Sequence, residues 1–289
     1  MDSNDIIKEI VKANATDFYR DSAQPSVRVL GKSLAQCVSL LASPVGQMAE
    51  IFEKNICKYL NKLDRSDENN LIPPDVRIAV PILEKMRYIE EEKVADYYAE
   101  ILATASQKDQ KGKVILSFIE ILNRVTADEI KILEYINSYE NKVDISSISD
   151  NERKKIAVKD NYLMLKGSLP VLDIKLKSKN EYGYLGMQTI TKNFNIIDEK
   201  IKLNNPQSIS IYLDNLFSLG LIEKPYGISF SISAIYDHLK EHPEIEKLYE
   251  QLQFTPEKEV KLEKGRINIT DLCKNLLDIC QDKDNRNYV

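Results

Sequence analysis

The two histidines of this 289-residue chain stand four residues apart, in His238-Leu-Lys-Glu241-His242. His-x-x-Glu-His is the spacing of inverted zinc peptidases. On a helix both imidazoles would reach one metal, and the glutamate would serve as base. Three features oppose that chemistry. His242 directly precedes Pro243, a position biased out of the helical region, so the rings need not share a face. A third ligand would have to come from downstream acids such as Glu246 or Glu250. The segment also falls in a predicted insert where a solvated surface is the default. Short motifs match by chance, and this match is read as coincidental. His238 and His242 are the metal candidates, yet no metal or other cofactor is expected, and no catalytic constellation marks the chain as an enzyme.

A second set of candidates is basic. Lys261, Lys264 and Arg266 lie on a predicted hairpin and could meet nucleic-acid phosphates. The helix that would enter a groove, Gln207–Leu219, holds no Lys or Arg and does hold Asp214. The other cluster, Arg153-Lys154-Lys155, sits in a predicted loop. Forty basic against forty-five acidic residues leave a net charge of −5, which weakly opposes a broad polyanion footprint. Nucleic acid is therefore disfavoured as a partner. Gly112-Lys113 lacks the glycine spacing of a phosphate loop.

The four cysteines, Cys37, Cys57, Cys273 and Cys280, form no Cys-x-x-Cys pair. The opening MDSNDIIKEI is acidic where a secretory signal would be basic and then apolar. Free thiols in a reducing, cytoplasmic setting are expected. Residues 33–49 carry no charge. They fall short of the ~20 apolar residues of a spanning helix and are striped rather than apolar all round, which favours a buried hairpin over a membrane-active one.

The elements that must position these groups are mostly helical. Residues 1–64 read as a helical hairpin region jointed at Ser43-Pro44, its second helix carrying Met48, Phe52, Ile56, Tyr59 and Leu63 on one stripe. Asp64–Asn70 is polar and turn-rich, the best linker. Residues 71–140 read as a central helical bundle. In it a helix starts near Asp75 with Pro81 as kink or restart, another spans Glu90–Ser106, and Thr126-Ala-Asp-Glu129 makes a capping box. Residues 141–281 read as a winged-helix-like unit. Asn141–Lys159 is expected to be a loop or weak helix, and Leu172–Lys177 alternates as one half-buried strand. A helix follows Asn205-Pro206 and stops at Gly220. Leu221-Ile222 and Arg266–Ile269 form a small antiparallel hairpin whose tip is a helical insert at about 224–258. Thr270 caps the last helix, and residues 282–289 form a frayed tail. The expected fold class is mainly α.

Placed in order, these segments resemble the abortive-infection alpha family, a predicted bacterial phage-resistance group. The resemblance is carried by Tyr19-Arg-Asp-Ser-Ala-Gln-Pro, by Ile72-Pro-Pro-Asp75 through Glu84, and by the helix Tyr97–Ala105. It continues through Phe118–Leu122, Leu213-Asp-Asn-Leu216, Leu219-Gly-Leu-Ile222 and the closing stretch from Gly265 to Cys280. It implies a mostly helical fold and phage defence, with no catalytic motif to carry over. A helical ribonuclease would need an arginine four to six residues before a histidine, and neither histidine has one. The expected function is non-enzymatic phage defence through an unidentified phage or host protein, with homo-oligomerisation as a further option. The alternatives are a membrane-permeabilising effector built on 33–49 and a DNA-binding winged-helix regulator.

Overall fold

The computed structural model describes residues 47–144, 162–180, 183–252 and 257–281. The uncharged segment 33–49, the Ser43-Pro44 joint, Cys37, the Arg153-Lys154-Lys155 cluster and the tail lie wholly or almost wholly outside them. The described chain divides into two units. One takes residues 47–130 and 275–281; the other is Lys131–Lys274.

The first unit is helical. Helix α1 (Gln47–Leu63) buries Phe52, Ile56, Tyr59, Leu60 and Leu63, the stripe its spacing predicts. Met48, in the first turn, stays 40% exposed. Asn55 is buried on the same helix, its amide donating to the carbonyls of Met86 and Ile89, both at 2.9 Å. Helix α2 (Val76–Met86) starts where Asp75 accepts the Arg77 N–H at 2.8 Å, and it runs unbroken through Pro81. Helix α3 (Glu92–Ala105) is buried well beyond one stripe; its Ala95, Ala99 and Ala103 are small enough for close approach of neighbouring helices. Polar groups along it are satisfied: the mid-helix Tyr98 hydroxyl donates to Asn123 at 2.8 Å, and Tyr59 bonds Ser106 at the C-terminal end at 2.9 Å. Helices α4 (Leu116–Leu122) and α5 (Ala127–Ser138) follow. The capping box forms as its sequence predicts. Glu129 accepts the Thr126 N–H at 2.7 Å, and Thr126 Oγ1 accepts the Glu129 N–H at 3.4 Å.

The second unit corrects the mainly α expectation with its one small hairpin. Strands β1 (Glu140–Asp144) and β2 (Tyr162–Lys166) pair antiparallel, so residues 141–144 are strand rather than loop or weak helix. Strands β3 (Ser168–Asn180), β4 (Gly183–Phe194), β5 (Ile222–Glu223) and β6 (Lys258–Ile269) form a curled four-stranded antiparallel sheet in the order β4-β3-β6-β5. The predicted hairpin of β5 and β6 exists, but only as two residue pairs at one edge, Ile222↔Ile269 and Glu223↔Asn268. The main partner of β6 is β3, in unbroken register from Ser168↔Asn268 to Ser178↔Lys258. The fold is thus mixed, a helical region plus a substantial sheet.

Between β4 and β5 lie α6 (Ile197–Lys200) and α7 (Ile209–Ser218). Helix α7 ends at Gly220, φ +68°, with Leu221 N bonded to Leu216 O and Gly220 N to Phe217 O, both at 3.0 Å. This is a Schellman stop, as the glycine predicts. Between β5 and β6 the predicted insert forms as a 3-10 turn (Ser233–Tyr236), α8 (Asp237–Lys240) and α9 (Pro243–Leu252). The insert packs Ile232, Ile235, Tyr236, Leu239 and Ile245 onto Leu172, Ile174 and Phe194, with Val260 and Leu262 at the margin. Helix α10 (Asp271–Cys280) closes the described chain, its first turn capped by Thr270 Oγ1 on Cys273 N at 3.2 Å.

Candidate functional site

The histidine motif folds, and the two rings take separate roles. His242 Nε2 lies 2.7 Å from Glu199 Oε1, and its Nδ1 accepts the Glu244 N–H at 3.3 Å. Accepting at Nδ1 fixes the proton on Nε2, so the ring donates to Glu199. Phe194 meets the ring edge-on, with centroids 5.2 Å apart. His238 sits exposed on α8, held below its ordinary range by partial desolvation and by the Lys200 charge. Glu246 and Glu250 are exposed on α9. Among the described residues no three His, Cys, Asp or Glu side chains are placed to hold a metal ion.

The three basic candidates of β6, Lys261, Lys264 and Arg266, divide between the two sheet faces, since side chains alternate along a strand. Lys261 points to one face and pairs with Glu263 at 3.0 Å. Lys175 pairs with the same carboxylate from β3, and together the two lysines hold Glu263 below the usual carboxylate range. Lys264 and Arg266 point to the other face. Lys264 donates to Ser233 Oγ at 2.7 Å and lies over the Tyr236 ring at 5.5 Å. Arg266 lies over the Phe230 ring at 5.7 Å.

Arg266 also lines a cavity of about 670 Å³ within the second unit. The strand register builds its floor. Ser168, Asn268 and Glu223 stand opposite one another on β3, β6 and β5. Ser168 Oγ donates to Asn268 Oδ1 at 2.8 Å, and Asn268 Nδ2 donates to Glu223 at 3.4 Å. Asn137 of α5 and Lys274 of α10 complete the wall, with Lys274 on Asp271 at 3.1 Å. Ile269 supplies the single large apolar side chain of the lining. Sequence reasoning marked Arg266 as a cation but not its neighbours. Asn137, Ser168, Glu223 and Lys274 meet only through pairings between residues far apart in the chain.

Chemically, this is a hydrogen-bonding cavity with two cations and two carboxylates, on a sheet attached to helices. The fold that carries it is mixed, a helical region with a four-stranded antiparallel sheet. The chain belongs to the abortive infection alpha family, whose model matches residues 49–280. Membership implies a role in abortive-infection phage defence. No curated protein matches the chain. A solved structure, an uncharacterized protein from the hydrocarbon-degrading marine bacterium Alcanivorax borkumensis SK2, is similar at 15% identity. That match covers 57% of this chain and 92% of the other, with a TM-score of 0.28, too low to carry an argument. No helix among the described residues is long and apolar enough to cross a membrane.

Proposed function

We propose that this protein acts in abortive infection by binding a phage- or host-derived protein, not by covalent catalysis. The observation that supports this is how its reactive groups are occupied. A general acid or base must be poised near neutrality and reach a substrate proton. His242 instead has both ring nitrogens in internal contacts. A nucleophilic cysteine needs thiolate, and burial drives the Cys273 thiol up to about 12.

The outward side of α7 carries Ser210, Ile211, Asp214 and Ser218, with Ile211 67% exposed. A surface with an apolar centre and no cation suits a protein contact better than a phosphate backbone. In this reading the winged-helix-like run of α7, β5, β6 and α10 is a scaffold that presents α7.

The test is phage plating efficiency on matched strains, across unrelated phages at low multiplicity. Wild type is expected to lower plating for some phages, with early loss of infected cells. The doubly substituted His242→Gln, Cys273→Ser protein is expected to protect as wild type does. Ile211→Asp, a surface change with little effect on stability, is expected to abolish protection at unchanged protein abundance. Loss of protection in the double variant, with fold and abundance intact, would overturn the non-catalytic reading.

A further inference from the structure

We propose that the cavity bounded by β3, β5, β6, Asn137 and Lys274 is a binding site for a small phosphate monoester of a sugar or nucleoside. Arg266 carries the argument. Its Nε is buried without a hydrogen-bond partner. The side chain makes no hydrogen bond or ion pair among the described residues; it lies over the Phe230 ring and close enough to Tyr236 to act on it electrostatically. A half-buried cation without an anionic or hydrogen-bonded partner is costly. A guanidinium that lines a polar cavity is satisfied most fully by an oxyanion accepting from its N–H groups.

Asn137 is the second observation. It lines the same cavity, is half-buried, and its amide makes no hydrogen bond among the described residues. It therefore offers two donors and an acceptor to a ligand. Lys274, already half engaged by Asp271, is the second cation within the lining.

Volume and lining fix the rest of the ligand. The cavity of about 670 Å³ is far larger than a lone oxyanion needs, and falls in the range of small-molecule sites. Its polar walls exclude a lipid. Glu223 and Asn268 offer acceptors where a free anion would be repelled, which suits the hydroxyl groups of a sugar. The ligand thus has an anionic head toward Arg266 and Lys274, and a hydroxyl-bearing body toward Glu223, Asn268 and Asn137. This site shares no residue with the α7 surface and stands or falls separately from the protein-contact reading.

The test is titration calorimetry on the full chain with adenosine 5′-monophosphate, ribose 5-phosphate, adenosine, inorganic phosphate and glutamate. Saturable binding of the two monoesters, with none for adenosine, is expected. Arg266→Gln should weaken it by at least about tenfold, the loss of a charge-assisted contact. Arg266→Lys, which keeps the charge without the fork, should weaken it less and guards against a folding defect. Lys261→Gln, on the opposite face, should leave it unchanged. Three results would overturn the proposal. One is no saturable heat from either monoester at millimolar concentration. Another is equal binding by wild type and a folded Arg266→Gln. The third is glutamate or inorganic phosphate binding as tightly as the monoesters. Because calorimetry uses no phage, a negative result here leaves the plating experiment untouched.

Discussion

Lys224 lies where a side chain on residue 265 would be. A Cβ added to Gly265 would stand 2.7 Å from Lys224 Cε and 3.4 Å from Val171 Cγ2. The lysine needs that path. It crosses β6 to reach Asp173 Oδ1 at 2.7 Å and Asn193 Oδ1 at 2.8 Å. Asp173 Oδ1 also accepts the N–H of Asn193, a residue at φ +55° where β4 carries an extra residue relative to β3. One carboxylate thus satisfies both the bulged backbone and the cation that neutralises it. Gly265→Ala should displace Lys224 and lower stability by about 1–2 kcal/mol, the worth of a half-buried charge-assisted contact. In a Lys224→Met background that charge-assisted contact is already gone, so the same substitution should cost clearly less. Urea unfolding of the four proteins measures this cycle, and strictly additive effects would show that the glycine serves something else.

At the scale of elements, Gly220 stops α7 in a left-handed conformation with open space around it, so its role is purely conformational. Gly220→Ala should cost about 1–2 kcal/mol, and Gly220→Asn less, since asparagine tolerates this region. Thermal unfolding of both variants gives the order. Such local signals made the helices legible. The Asp75 cap, the Thr126 and Glu129 box, the Gly220 stop and the Thr270 cap all act within a few residues. The sheet was harder to read because its strands depend on distant partners. β4 carries extra residues relative to β3 at three places, among them Ile190, and each breaks the period-two alternation that marks a strand. β6 does alternate, Val260 and Leu262 against Glu259, Lys261 and Glu263, but only its last four residues, Arg266–Ile269, read as strand in the sequence. The cavity was legible only in Arg266. Ser168, Glu223 and Asn268 are separated by 55 and 45 residues and become neighbours through register alone.

For the whole molecule, charge sets the expected behaviour toward polyanions. The chain carries a net charge of −5, and its β6 cations Lys261, Lys264 and Arg266 are divided between two faces. It is expected to pass through immobilised heparin at about 0.1 M salt, where screening still leaves close charge contacts effective. Retention that weakens steeply with salt would favour the DNA-binding alternative. The division into units has a different consequence, in time rather than in space. The chain leaves the first unit at Ile130 within α5 and re-enters it at Asn275 within α10. Buried Leu276 and Leu277, and Cys280 with its thiol 3.9 Å from the Tyr97 carbonyl, belong to that first unit. During vectorial synthesis the helical unit therefore waits for residues 275–281, translated after the whole sheet unit, although residues 47–130 are made before it. The sheet unit is contiguous and can close earlier. A ribosome that aborts shortly before codon 275 would release a finished sheet beside an unfinished helical core, a product marked for quality-control proteolysis.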